Sequence, residues 1–174
     1  MAPLLRRSWA LRGRPPLLRQ KAAHREKVSV AAALWLPPSR GRLHLAYQTL
    51  ANGYFNNVEV AAFLRGAVEG LPHPLIALWD CGTMHRGEPI RELVGQAQGR
   101  LDIEPVPPYS PQLMPVEFLW AWLKYDRLCN FAPRGATHLE QAVVRELEAV
   151  TGNQELLRSC FHLSALQLPR TLLS

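Results

Sequence analysis

The sequence has only three cysteines, Cys81, Cys129 and Cys160, and no two of them stand at CxxC spacing. That argues against zinc ribbons and a disulfide scaffold, and it fits a reducing cytosol. No charge-free run of about 18 apolar residues occurs, so no membrane span is expected. Arg6 and Arg7 are not followed by an apolar stretch, so the N-terminus does not read as a secretory leader. Acid is scarce at the start. Residues 1–42 set ten Lys/Arg against Glu26 alone, giving +9, while the remainder carries −3. No aspartate precedes Asp80, and no internal repeat is visible.

What is present suits one domain with a short arm: 174 residues, 48% of them hydrophobic. Residues 1–27 read as a basic Arg/Pro-rich arm in which Trp9 can pack down as an anchor. A polyanion such as DNA is one partner for that arm, and a solvated arm is the plain alternative. Val28 to Leu36 and Leu43 to Leu50 read as an antiparallel hairpin around a turn at Ser39-Arg40-Gly41. Asn56 or Asn57 can cap a helix from about Val58 to Leu71. The apolar run Leu75 to Trp79, ending in Asp80, reads as a buried strand covered on both faces. A helix over about 88–98 and a strand over 101–106 follow. Helices are then expected over about 115–128, from a Thr137 cap to Val150, and from an Asn153 cap to about Leu166. Strands alternating with helices point to an α/β fold with a mixed sheet.

The most distinctive stretch is Pro107-Pro108-Tyr109-Ser110-Pro111-Gln112-Leu113-Met114-Pro115-Val116-Glu117. Its prolines clamp a loop, and Pro115 suits the first position of a helix, where the missing N–H costs no hydrogen bond. Glu117 then lies in the first turn. Acids are common there because they suit the helix dipole. Alternatively, the loop aims this acid at a site. Asp80, at the carboxyl end of a strand, is its natural companion, because ligands of such sheets bind at those ends. Two carboxylates without a Cys/His cluster suit a hard cation, Mg²⁺ or Mn²⁺, and phosphodiester chemistry.

Leu78-Trp79-Asp80, Met84-His85-Arg86, the proline loop, Glu117, Trp120 and Trp122-Leu123-Lys124 together resemble a DDE transposase. The resemblance is to the mariner-like superfamily, in its bacterial insertion-sequence branch, over roughly Arg6 to Leu147. It implies a ribonuclease H-like mixed sheet flanked by helices, with residues 28–150 as a partial catalytic domain and 151–174 as a helical tail. It implies metal-dependent DNA cleavage and strand transfer, with Asp80 and Glu117, 37 residues apart, as the second and third acids of a metal-binding triad. His85 and Tyr109 border that site. Arg6, Arg7, Arg12, Arg14 and Lys124 are candidates for DNA contact, and each is equally a solvated cation. Transposon ends and target DNA are the implied partners, with a dimer formed with itself or with a full-length transposase. The location is the bacterial cytoplasm, at the nucleoid.

The departures are specific. The triad's first acid, an Asp on the first, central strand, has no counterpart, and neither does an N-terminal helix-turn-helix. The chain therefore reads as N-terminally truncated and inactive alone, with residues 1–5 filling only part of the gap. Each buried backbone group left without a partner costs about 1–3 kcal/mol. Glu26 is a poor substitute acid, since it precedes the hairpin. Met114 stands where the family has Asn, and it cannot cap the helix. Cys81 next to Asp80 reads as a small buried residue. A non-catalytic DNA- or transposase-binding remnant is the alternative reading.

Overall fold

The computed structural model describes residues 6, 7, 9–14, 17, 27–38 and 41–166. Glu26, residues 1–5 and the turn residues Ser39 and Arg40 lie outside them. Two strands form the hairpin, β1 (Val28–Trp35) and β2 (His44–Ala51), in a register running from Val28↔Ala51 to Trp35↔His44. Helix α1 (Asn57–Gly70) follows, then β3 (Leu75–Trp79), α2 (Glu88–Gln96) and β4 (Leu101–Pro105). β3 and β4 pair in parallel, Leu75↔Leu101 to Trp79↔Pro105. Both pairings suit a mixed sheet, yet among the described residues they stand as two separate two-stranded sheets.

Local chemistry sets the boundaries. Asn56 is the N-cap of α1. Its side chain accepts from Val58 and Glu59 N–H, while the Glu59 carboxylate accepts from Asn56 N–H at 2.8 Å, a complete capping box. The last turn of α1 has no basic residue of its own, and Arg100, just before β4, donates instead to the Val68 and Leu71 carbonyls. Apolar faces of α1 and α2 (Val60, Leu64, Ile90, Leu93) close over Leu75, Ala77, Trp79 and Ile103.

The other side of β3 is open. Side chains alternate across a strand, and Ile76 is 65% exposed and Leu78 42%. The expected double-sided burial of β3 is therefore corrected: an unbroken apolar run does not reveal whether a second layer exists. Leu75 N–H donates to the Arg100 carbonyl, and the Trp79 carbonyl accepts from Val106 N–H. The intervening Ile76 and Leu78 thus turn their backbone groups toward the edge away from β4.

Three more helices build the second core. These are α3 (Pro115–Trp122), α4 (Ala136–Thr151) and α5 (Gln154–Leu163). Together with the turn after α3, they bury Leu119, Leu123, Leu139, Val143, Leu147 and Leu157 against the hairpin. Pro115 opens α3, and Met114 at its N-cap makes no side-chain bond. The helix does not run unbroken to residue 128. It widens over Leu123–Arg127, where Leu128 N–H bonds back five residues to the Leu123 carbonyl at 2.9 Å. Arg127 from that bulge holds Glu146, the one charged residue that is buried among those described, at 2.7 Å.

Two terminal expectations are corrected. Gly135, not Thr137, is the N-cap of α4, and Arg134 N–H is satisfied by His138 Nδ1 at 3.0 Å. Trp9 is fully exposed rather than an anchor. Asn153 does cap α5, accepting from Leu156 N–H at 3.0 Å. Gln154 then brackets Leu43, accepting from its N–H and donating to its carbonyl, which ties α5 to the hairpin.

Candidate active site

β3 and β4 end level with each other, so the chain leaving each strand emerges at one edge. After β3 come Asp80, Cys81 and Gly82 and then a short 3₁₀ turn, Thr83–His85. After β4 comes the proline loop. Two contacts join these exits: Val106 N–H to the Trp79 carbonyl at 2.9 Å, and Cys81 Sγ to the Val106 carbonyl at 3.6 Å. Farther along, the loop is held from outside, where Ala165 N–H donates to the Gln112 carbonyl at 2.7 Å.

Between the exits lies an open cleft of about 500 Å³. Asp80, Arg86, Tyr109, Met114 and Glu117 are among the residues lining it. Two neighbours contact the Asp80 carboxylate. Gly82 N–H donates to Asp80 Oδ1 at 2.9 Å, and His85 Nδ1 lies 2.8 Å from the same oxygen. A Cβ on Gly82 would itself sit 2.9 Å from that oxygen, so glycine is what lets the chain approach. The His85 ring stacks on Trp79. Glu117 is exposed in the first turn of α3, where its N–H bonds the Met114 carbonyl at 3.0 Å. Tyr109 is fully exposed, on a backbone with φ +58°. Positive φ is uncommon for an aromatic residue and marks a sharp reversal of the loop.

The remaining candidates lie elsewhere. Arg6 is docked internally: its N–H donates to Asn130 Oδ1 at 2.8 Å, and its guanidinium donates to the Tyr125 carbonyl at 3.0 Å. Arg7, Arg12 and Arg14 are exposed, and Lys124 is half-buried in the widened turn. None of these five lines the cleft.

Chemically, two exposed carboxylates on one cleft offer the oxygen donors that a hard cation takes. Among the described residues no group of three or more His, Cys, Asp or Glu converges. Two carboxylates are of the donor type that one Mg²⁺-like ion takes, with other positions left to water or phosphate oxygens. A second ion would need a further carboxylate. In sequence, the chain matches the family described as DDE superfamily endonuclease over residues 2–137.

The protein belongs to the DDE superfamily endonucleases.

As a DDE superfamily endonuclease domain it is of a kind that acts on DNA and generally uses divalent metal ions. No curated protein matches the chain. Among the described residues no helix is long and apolar enough to cross a membrane. Sequence reasoning gave no separate role to Arg86 or Gly82. Their positions follow from the turn after β3, which leaves no periodic signal.

Proposed function

We propose that this endonuclease domain is the catalytic portion of a mariner-like DDE transposase of the bacterial insertion-sequence branch, built on a ribonuclease H-like sheet. Asp80 and Glu117 are its second and third acids. The first acid, expected on a strand between β1 and β3, has no counterpart among the described residues, and on this reading the domain is inactive alone. The observation that carries this reading is that Asp80, at the end of β3, and Glu117, in the first turn of α3, line one cleft, with no third carboxylate lining it among the described residues. Among the described residues, the separation into two two-stranded sheets and the unpaired edge of β3 support a place for that strand beside β3.

In this reading Asp80 and Glu117 would hold a Mg²⁺ or Mn²⁺ ion, which supplies Lewis-acid stabilisation of charge on the phosphodiester. Gly82 and His85 orient Asp80. The partners are transposon ends and target DNA, with a second copy or a full-length transposase completing the assembly at the nucleoid. Incubation with Mg²⁺ or Mn²⁺ and transposon-end DNA is the test. No nicking is expected, and robust nicking abolished by Asp80→Ala would overturn the inactivity.

One observation favours a second reading, a non-catalytic DNA- or transposase-binding remnant. Arg7, Arg12 and Arg14 are exposed and away from the cleft. A steep salt dependence of DNA affinity that is lost on deleting residues 1–27 would select it.

A further inference from the structure

The cleft poses an electrostatic problem for the substrate proposed above. A phosphodiester entering it meets two carboxylates. Of the described residues lining it, Arg86 alone carries positive charge. Exposed arginines beside exposed acids commonly pair with them, but here no carboxylate among the described residues lies within 4 Å of the Arg86 side chain. Several other arginines are engaged. Arg65 bonds Gln96, Arg91 pairs with Glu88, Arg100 caps α1, and Arg127 holds Glu146. Arg86 keeps its fork of donors open, in the geometry that matches phosphate oxygens.

Its root is fixed. Arg86 N–H closes the 3₁₀ turn onto the Thr83 carbonyl at 3.3 Å, and its own carbonyl accepts from Asn57 Nδ2 at 3.2 Å. The next residue, Gly87, has φ +113°, and a Cβ there would meet Asn57 Nδ2 at 2.6 Å. The start of α1 thus clamps the turn that carries Arg86. We propose that Arg86 is the phosphate-binding residue of this cleft, taking the non-bridging oxygens of one DNA backbone phosphate beside Asp80 and Glu117. This rests on the reading of the cleft as a DNA site, and it assigns to the cleft a function that the carboxylates cannot perform.

The test uses the full chain, a labelled duplex oligonucleotide and fluorescence anisotropy across a salt series at fixed Mn²⁺. Arg86→Ala is expected to weaken binding several-fold and to lower the slope of log K against log[salt] by about one, the signature of one lost phosphate contact. Arg86→Lys keeps the slope. Arg91→Gln, which removes a cation outside the cleft, leaves it unchanged. An unchanged slope in Arg86→Ala overturns the assignment, as does an equal drop in Arg91→Gln or a wild-type chain that does not bind DNA at low salt. Mn²⁺ binding, followed by the free-ion electron paramagnetic resonance signal, reads the carboxylates separately and is expected to persist in Arg86→Ala. A wild type that binds no Mn²⁺ but still loses slope in Arg86→Ala would sink the metal reading and leave Arg86 in place. The side chain is exposed, so the variants are expected to melt with the wild type.

Discussion

Trp79 and His85 lie face to face, their ring centroids 4.6 Å apart and their planes 1° from parallel. The stack fixes the imidazole so that Nδ1 meets both the Asp80 carboxylate, at 2.8 Å, and the Asp80 carbonyl, at 3.1 Å. Groups that orient a metal-binding carboxylate typically change metal affinity about 10–100-fold when removed. His85→Ala is therefore expected to weaken Mn²⁺ binding by about tenfold or more, and His85→Asn, whose amide can reach the same oxygen, to recover part of it. Titration with Mn²⁺ checks both. Equal affinity in all three proteins would show that Asp80 needs no such support.

Met114 leaves the N-terminus of α3 without a side-chain cap. Asn at an N-cap is worth about 1 kcal/mol over an apolar residue. Met114→Asn is expected to raise the urea midpoint by about that free energy with no change in slope. A midpoint at or below wild type would mean that packing of the Met114 side chain outweighs the cap.

Glu146 is 8% exposed and is held by Arg127 from the widened turn and, at 3.5 Å, by Arg145 on its own helix. Arg127 is half exposed, so solvent screens much of the attraction. Arg127→Ala is expected to cost about 1–2 kcal/mol, mostly because it leaves a buried carboxylate short of a partner. Arg127→Lys recovers little, since one ammonium cannot reproduce the Nε geometry. Equilibrium unfolding of the two variants measures this.

Much of this architecture was legible where a residue acts on its immediate neighbours. Asn56 or Asn57, Asn153, and Pro115 each announce a helix start, because capping is decided within four residues. The sequence suggests Asp80 and Glu117 as companions because each ends or follows a strand-like run, and the structure sets both along one cleft. The remainder depends on partners distant in sequence. The Arg127–Glu146 pair spans 19 residues and the five-residue bond of Leu128 breaks the helical period. The Gly82–Asp80 approach is a turn geometry that leaves no pattern. Leu75 to Trp79 is as apolar as a fully covered strand, and nothing within five residues tells how many layers cover it.

Burial pushes the Cys160 thiol up to about 11, whereas Cys81 and Cys129 are only half-buried. The nucleophile in alkylation is the thiolate. At mildly alkaline pH two thiols are expected to react in the folded protein, and Cys160 only on unfolding. Because the folded value lies above the unfolded one, the Cys160 contribution to stability is complete below the unfolded value near 9. It is lost as pH rises toward the folded value, since the unfolded chain releases that proton first. Thiol counting with and without denaturant checks the first point. Melting temperatures across pH 8–11, compared with Cys160→Ala, check the second.

The open edge of β3 makes the most direct prediction about the fold. Leu75 and Trp79 turn their backbone groups toward β4, and strand alternation places Ala77 with them and Ile76 and Leu78 on the opposite side. A two-stranded parallel sheet that, among the described residues, has no further strand at either edge and one exposed face is a poor free-standing unit, since such sheets are normally covered. Native-state hydrogen exchange should therefore find the Ile76 and Leu78 amides exchanging orders of magnitude faster than those of Ala77 and Trp79. Covalent addition of an upstream apolar strand bearing an aspartate should slow Ile76 and Leu78 selectively if that strand occupies the edge between β1 and β3. Slow exchange at Ile76 and Leu78 in the chain as it stands would instead mean that the edge is already covered, and the proposed place of the first acid would have to be abandoned.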